Sequence, residues 1–247
     1  MKGRATWWVF LRALAVQGAW NYQTYMGTGF AFVLLPALRR LHPDRSSLNA
    51  AVRRHEGLFN SHPYLAPLAL GAVIRMEEEG EDPAVIERFK VVLRSTLGTL
   101  GDQLIWAGWR PLCLLLALAL LLLGAPWWAA VGLFLLLYNT GHLALMIWGM
   151  RVGLAEGRGV AERLRGSFIR STQPRLMVAG SFAVGVTLAL VVLQGVPTLD
   201  TRPGYVWIPL AVAAAAAGAR WGERARRVGV AGITILAGVG LVLGALS

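Results

Sequence analysis

Long apolar runs dominate the second half of the chain. From Leu112 to Met150 no residue carries a formal charge, and a helix of that length would extend about 58 Å, roughly twice the hydrocarbon thickness of a bilayer. This run therefore predicts two membrane-spanning helices, with the turn at Gly124-Ala-Pro126. Further spans are predicted by three later runs, Leu176–Val196, Tyr205–Ala219 and Val228–Leu246, which makes about five spans after residue 104.

Arginines separate these runs unevenly. Residues 151–175 contain six arginines and residues 220–227 contain four, whereas 197–204 contains one, balanced by Asp200. Short cytoplasmic loops of membrane proteins carry an excess of Lys and Arg. The pattern therefore predicts that the two arginine-rich loops are cytoplasmic and that Pro126 and residues 197–204 lie on the opposite side.

The first 110 residues follow a different pattern. Apolar residues at helical spacing predict an amphipathic interfacial helix near the N-terminus: Trp7, Phe10, Leu11 and Leu14. The apolar runs Gly27–Leu38 and Pro63–Ile74 are too short to cross a bilayer as simple helices, so we expect either re-entrant hairpins or buried helices. Charged cytosolic helices are predicted over Pro43–Gly57 and Met76–Arg94. The fold class expected is an all-α polytopic membrane protein, with an amphipathic and re-entrant substrate-site region over residues 1–110 and a transmembrane bundle over residues 111–247.

Composition agrees with a membrane protein and excludes two other classes. Hydrophobic residues make up 56% of the 247 residues, charged residues 15%, and mean hydropathy is +0.55. The net charge of +11 comes from arginines spread between apolar runs and not from one basic arm, which argues against a nucleic-acid partner. With Cys113 as its single cysteine, the chain can form neither an internal disulfide nor a cysteine-based metal site.

The first polar run lies at Gln17–Gln23, among apolar residues. Trp20 and Tyr22 offer aromatic faces, and Asn21 and Gln23 offer amide donors and acceptors. A sugar site needs both, because rings stack on the C–H faces of a sugar and amides pair with its hydroxyl groups. The alternative is an interfacial aromatic belt, in which Trp and Tyr are common. A belt does not account for the amides, but the residues alone leave both interpretations open.

The second polar run is Phe59–Leu65, with Asn60 and His62 as candidate site residues. Pro63 biases His62 away from the helical conformation, so we expect an extended segment before the apolar run. In the alternative interpretation, His62 satisfies backbone groups of the turn. A zinc site is rejected because His55 precedes His62 by seven residues, not by the four that place two imidazoles on one helix face.

Two further runs complete the set. Gly98–Trp106 combines glycines, which permit close approach, with Asp102 at the edge of a membrane run, where an acidic residue is a functional hypothesis. The alternative is that Asp102 caps a helix N-terminus. In Tyr138–His142, Asn139 and His142 lie within an apolar span, and their simplest role is hydrogen bonding between helices.

Together these runs resemble the IID component of mannose-family sugar phosphotransferase systems (PTS). Trp20–Gln23 resembles the family's Trp-Asn-Tyr-Glu, residues 59–64 resemble Phe-Asn-Thr-His-Pro-Tyr, and residues 98–106 resemble its Gly-Asp loop. The resemblance is strongest over residues 8–155. Gln23 and Thr24 stand where the family has Glu and Arg, and an amide lacks the charge-assisted hydrogen bonding of a carboxylate, so this departure bears on the identity of the substrate.

The resemblance implies a multi-pass subunit of the bacterial inner membrane that pairs with a IIC subunit in a hetero-oligomer. The sugar, a hexose, would bind at the shared interface and receive phosphate from a phosphohistidine on a cytosolic IIB subunit of the IIA/IIB phosphocarriers. This chain would position the sugar and not transfer phosphate itself, and no cofactor or metal is expected. The alternative, motivated by Gln23 and Thr24, is a structural or regulatory subunit that retains the IID fold without transport. The expected substrate-binding residues are Trp20, Asn21, Gln23, Asn60, His62 and Asp102.

Overall fold

The computed structural model describes residues 4–195, and regular structure in this part of the chain is helical apart from two isolated β-bridges. The expectation of an all-α protein is confirmed for these residues. The elements in chain order are α1 (Arg4–Ala13), α2 (Gly27–Leu41), α3 (Arg45–Glu56), α4 (Ala66–Glu78), α5 (Pro83–Gly101), a π segment (Asp102–Trp109), α6 (Arg110–Leu122), α7 (Trp127–Glu156), a 3₁₀ turn (Gly157–Gly159), α8 (Val160–Arg165) and α9 (Phe168–Gly195).

Within the described residues, three helical stretches are long and apolar enough to cross a membrane. They are Pro83–Leu122, Trp127–Arg165 and Phe168–Val191. The chain breaks where the turn was predicted, because Gly124, between α6 and α7, has φ +91°, a conformation that favours glycine. The predicted spans 205–219 and 228–246 lie outside the described residues, so the count of five spans stays a prediction.

The helices form two compact units. The first contains the chain up to Trp109 together with Leu136–Gln173, and the second contains Arg110–Leu135 and the part of α9 from Pro174 onward. Within the second unit, the side-chain amide of Gln194 on α9 donates a hydrogen bond to the carbonyl oxygen at the end of α6. The functional division at residue 110 stays a prediction.

Helix α4 forms the buried centre of the first unit. Every residue from Ala66 to Ile74 is buried, as expected for a helix that is apolar on all sides. α4 packs against α2 and α5, and Phe30 of α2 lies against Phe59 with ring centroids 4.3 Å apart. The apolar run 63–74 is therefore the core of this unit.

Helix α1 covers α2 with one face. Val9 and Ala13 are buried, whereas Trp7 and Leu14, from the predicted apolar stripe, are exposed. An outward-facing apolar stripe is typical of an interfacial helix. The position of α1 at a membrane interface stays a prediction.

The predicted charged helix Met76–Arg94 is wrong, because α4 and α5 are separated by a break at residues 79–82. Gly80 has φ +68°. The Asp82 side chain then accepts a hydrogen bond from a backbone N–H in the first turn of α5, and Pro83 follows at the first helical position. A glycine followed by Asp-Pro is a helix stop and start pattern. The other charged helix, predicted over 43–57, is present as α3.

Helix α7 approaches α4 through glycines. A Cβ atom at Gly71 would lie 2.7 Å from the carbonyl oxygen of Met150, and one at Gly153 would lie 2.7 Å from the backbone nitrogen of Ala72. Gly149 and Gly153 are four residues apart and so share one face of α7. Small residues at this spacing allow close packing of membrane helices, and here they allow backbone to meet backbone.

We expect Gly153→Ala to lower the free energy of unfolding by about 1–3 kcal/mol, because its Cβ atom would meet backbone atoms that have no rotamer freedom. Gly132 lies on the same helix, and none of the described residues places another atom within 4 Å of its Cβ position, so Gly132→Ala is the matched control and should be neutral or slightly stabilising. Thermal unfolding of both variants in detergent checks this. Equal melting temperatures for the two variants would contradict the close packing.

Candidate functional site

The first two polar runs of the sequence are neighbours in the structure. The backbone N–H of Phe59 donates to the carbonyl oxygen of Thr24 at 3.2 Å, and the N–H of Met26 donates to the carbonyl oxygen of Phe59 at 2.9 Å. Asn21 and Tyr25 exchange backbone hydrogen bonds of 3.1 and 2.8 Å in the same region. The two runs are therefore parts of one region of the first unit.

The side chain of Asn21 closes the turn of the first run. Its Oδ1 accepts hydrogen bonds from the backbone N–H groups of Gln23 and Thr24, each at 2.9 Å. Its Nδ2 donates to the Thr24 hydroxyl at 2.9 Å and to the carbonyl oxygen of Ala19 at 3.3 Å. This is the Asx type of turn. Both ends of the amide are used within the turn, so Asn21 supports its neighbours.

Trp20 and Gln23 lie on the exposed side of this turn. The Trp20 side chain is 43% exposed and makes edge contacts with Tyr22 and Tyr25, with ring centroids 4.9 and 5.9 Å apart. An exposed ring fits both a ligand platform and an interfacial belt. The exposed amide of Gln23 beside it adds a donor and an acceptor that a belt does not use.

His62 lies in the buried part of the region. Its side chain is 2% exposed, and it packs on α5 at Gly101, where any Cβ atom would overlap the Cβ and Cγ atoms of His62. Nδ1 accepts a hydrogen bond from the backbone N–H of Tyr64 at 3.2 Å, so the backbone role considered for His62 is present. Nε2 is buried and has no hydrogen-bond partner among the described residues. An unsatisfied buried nitrogen is costly, which favours a ligand or an ordered water at this point.

The electrostatic surroundings keep His62 neutral. Burial lowers the pKa of His62 to about 4, and repulsion from His142 adds to the effect. At pH 7 the ring therefore carries one N–H and one acceptor nitrogen. Such a ring is suited to hydrogen bonding with a neutral, hydroxyl-rich ligand.

Asn60 and Asp102 are exposed and lie next along the chain to buried parts of this region. Asp102 begins the π segment that follows Gly101. Because the helix continues into Asp102 from α5, the alternative of an N-cap at Asp102 is wrong. π-type turns within helices are frequent at functional sites, and this one places Trp106 4.9 Å from the His62 ring.

Besides Trp106, three more aromatic residues of this region were not in the candidate set. The Tyr64 hydroxyl lies 2.6 Å from the hydroxyl of Tyr138. The Tyr64 ring stacks on His142, with centroids 3.6 Å apart and an interplanar angle of 21°. This stack joins α7 to the turn before α4, whereas the hydrogen bonding between helices expected of His142 stays a prediction. Each of the three residues lies within a polar run of the sequence, which was the available signal.

A second buried polar cluster joins α3, α4 and the end of α2. The Glu77 carboxylate, 4% exposed, accepts hydrogen bonds from Arg54 at 2.8 Å and from His55 at 2.8 Å, and lies 3.2 Å from His42. Among the described residues, no group of three or more His, Cys, Asp or Glu side chains is arranged to hold a metal ion. This cluster is an ion pair with histidine donors, and it ties the charged helix α3 to the end of α4.

The pKa values in this cluster assign its charges. Burial raises the pKa of Glu77, but hydrogen bonds from His55 and Arg54 outweigh it and hold the pKa at about 2. Burial lowers the pKa of His55. His55 is thus a neutral donor at pH 7, and Arg54 supplies the positive charge that pairs with Glu77.

These observations define a protein whose described residues are helical, with three membrane-capable helices among them and a partly buried region of polar and aromatic side chains. The family described as the PTS system mannose/fructose/sorbose family IID component matches residues 2–201. The chain belongs to this family of IID components. The resemblance drawn from the polar runs is confirmed, and the match extends beyond residue 155.

Similar proteins are named for three different sugars. The mannose-specific EIID component of the PTS system of Escherichia coli (strain K12) is 29% identical over 202 residues, which cover 78% of this chain and 70% of that protein. The fructose permease IID component of Bacillus subtilis (strain 168) is 27% identical over 199 residues, covering 78% and 72%. The sorbose-specific EIID component of Klebsiella pneumoniae is 28% identical over 204 residues, covering 79% and 73%.

Two solved structures share the fold. One is the cryo-EM structure of the mannose transporter ManYZ in complex with microcin E492, with a TM-score of 0.61 and 24% identity over 99% of this chain and 97% of that chain. The other, described as the structure of a membrane protein, gives a TM-score of 0.67 and 25% identity over 97% and 96%. The fold described above is therefore that of known membrane proteins.

Proposed function

We propose that this IID component pairs with a IIC membrane subunit and that the pair binds and translocates a hexose. A cytosolic IIB domain, supplied with phosphate by IIA, then phosphorylates the sugar. The relatives named for mannose, fructose and sorbose support a hexose substrate, and the solved ManYZ transporter supports a hetero-oligomeric membrane unit. In this scheme the chain positions the sugar, and phosphate transfer belongs to IIB.

The observation that carries this proposal is the buried Nε2 of His62, which has no hydrogen-bond partner in the described part of the chain. A sugar hydroxyl at this nitrogen would remove the cost of burying an unsatisfied polar atom. Aromatic rings next to it, such as Trp106, supply the apolar faces on which sugars stack. The residues proposed to line the site, directly or by support, are Trp20, Asn21, Gln23, Asn60, His62 and Asp102.

The proposed location is the bacterial inner membrane, with about five spans and re-entrant hairpins in the N-terminal part. The three membrane-capable helices found within residues 4–195 support a multi-pass arrangement. The six arginines of residues 151–175 support a cytoplasmic position for that loop. Labelling of single cysteines introduced into this loop from either side of the membrane tests the orientation.

We expect His62→Ala and Asn60→Ala to reduce uptake and phosphorylation of the sugar, with His62→Ala reducing uptake at subsaturating sugar by roughly tenfold or more. The loss of one hydrogen bond to a ligand is sufficient for an effect of this size. The measurement is accumulation of radiolabelled hexose phosphate in cells that lack their own mannose permease and express this chain with its IIC and IIB partners.

Ser95→Ala is the matched control, because the Ser95 residue is exposed and, in the part of the chain that the structure describes, its hydroxyl bonds only within α5, to the carbonyl oxygen of Val92. It should retain uptake. If no hexose accumulates although the complex is inserted in the membrane, the proposal fails and the non-transporting subunit becomes the better interpretation. Recovery of uptake by Gln23→Glu would then assign the loss to that position.

A further inference from the structure

The two ring nitrogens of His62 have different surroundings. Nδ1 accepts a hydrogen bond from the backbone N–H of Tyr64, and an accepting ring nitrogen carries no proton. The single proton of the neutral ring therefore lies on Nε2. Because this buried N–H has no acceptor among residues 4–195, it is available to an oxygen atom from outside the described chain.

Tyr64, which determines this arrangement, is held by α7. Its hydroxyl lies 2.6 Å from that of Tyr138, and its ring stacks on His142 at 3.6 Å. Tyr138 and His142 are four residues apart and share one face of α7. Trp106 lies against both Tyr64 and His62, with centroid distances of 6.0 and 4.9 Å. These contacts fix the Tyr64 ring and, with it, the backbone N–H that faces Nδ1.

We propose that Tyr64 is a positioning residue that fixes His62 as an Nε2–H hydrogen-bond donor to a hydroxyl oxygen of the sugar. This inference rests on the proposed function and deepens it, because it states that His62 donates the hydrogen bond and that the sugar hydroxyl oxygen accepts it. Tyr64 acts through His62 without touching the sugar. At the sugar position that His62 recognises, a C–F group accepts a hydrogen bond weakly and a C–H group accepts none. The fluoro sugar should therefore bind better than the corresponding deoxy sugar.

Nitrogen-15 NMR of the histidine-labelled complex with its IIC partner tests the tautomer without any sugar. The His62 signals are assigned by their loss in His62→Gln. At pH 7 we expect a protonated Nε2 and an unprotonated Nδ1 in the wild type, and a mixture of tautomers in Tyr64→Ala. A protonated Nδ1 in the wild type overturns the proposal. So does an unchanged tautomer in Tyr64→Ala, or in the milder Tyr138→Phe if Tyr64→Ala does not fold.

Binding of deoxy and deoxyfluoro hexoses to the same complex tests the donor. At one ring position we expect the deoxy sugar to bind roughly tenfold more weakly than the hexose, as for one lost hydrogen bond. The fluoro sugar at that position should lose distinctly less affinity. This difference should disappear in His62→Phe. Equal losses for both analogues at every position overturn the donor assignment. If no hexose binds the wild-type complex, the proposed function fails, while the NMR experiment still decides the role of Tyr64.

Tyr64→Phe and Tyr138→Phe remove the same hydroxyl contact and keep both rings. We expect each to raise KM for uptake roughly two- to tenfold with little change in kcat. The double variant should be no worse than the worse single variant, because the two hydroxyls form one interaction. Additive effects of the two substitutions overturn the role of this contact in positioning, because two independent structural losses would add.

Discussion

Alanine at Gly101 is expected to destabilise the protein by about 1–3 kcal/mol and to reduce sugar uptake. The new Cβ atom would overlap the Cβ and Cγ atoms of His62, and overpacking of a filled site costs about this much. These atoms form the stem of the ring, and Pro63 restricts the backbone that carries it. The ring therefore cannot swing aside, so His62 must move as a whole and Nε2 is displaced with it.

Gly98→Ala is the matched control for Gly101→Ala. Gly98 lies on α5, one turn earlier, and a Cβ atom there would have no other atom of residues 4–195 within 4 Å. Alanine is favoured over glycine in a helix by about 1 kcal/mol, so Gly98→Ala should be neutral or stabilising and should retain uptake. Thermal unfolding and uptake of the two variants give the comparison. Equal behaviour of the two would mean that His62 does not depend on Gly101.

The parts of the fold that the sequence predicted are those set by local chemistry. The break between α6 and α7 follows from the uncharged run and Gly124, and the non-helical backbone at His62 follows from Pro63. The break before α5 followed from equally local chemistry, since Gly80 and Asp82-Pro83 form a stop and start pattern. The mixed charges of residues 76–94 favour one helix, but the turn residues determine where the helix breaks.

Other parts depend on contacts between residues far apart in the sequence. Tyr64 and Tyr138 are separated by 74 positions, and no local pattern indicates that their hydroxyls meet. His55 lies among charged residues of α3, where hydropathy predicts exposure, yet its side chain is fully buried against Glu77. In both cases the packing of α4 against its neighbours determines the environment, so the contact can be found only from the three-dimensional structure.

Glu77→Ala is expected to lower the free energy of unfolding by about 3–5 kcal/mol. The carboxylate is 4% exposed and pairs with Arg54 and His55. Removing one partner of a buried ion pair leaves the other charge uncompensated, which costs about this much. Here Arg54 would lose its partner, and the buried Nε2 of His55 would lose its acceptor. Thermal or denaturant unfolding in detergent measures the loss.

Glu79→Ala is the matched control, two residues away on the same helix end. Its carboxylate is 43% exposed and pairs with Arg75 one turn earlier, and exposed pairs of this kind contribute about 0–1 kcal/mol. The two substitutions remove the same charge, so the difference between them reports burial and hydrogen bonding. A loss for Glu77→Ala no larger than for Glu79→Ala would show that this cluster does not hold α3 against α4.

Acid should destabilise the protein in two stages. Folding lowers the pKa values of His55 and His62, that of His62 to about 4. As the pH drops from 6.5 toward 4, the unfolded chain therefore binds protons that the folded protein does not, and stability falls. The pKa of Glu77 is lowered from 4.5 to about 2, so its contribution is present above pH 4.5 and is lost as pH falls through about 2. Unfolding measured against pH should therefore show a lower stage that is missing in Glu77→Gln, whose amide does not titrate. Retention of that stage in the variant would assign it to other carboxylates and not to the buried pair.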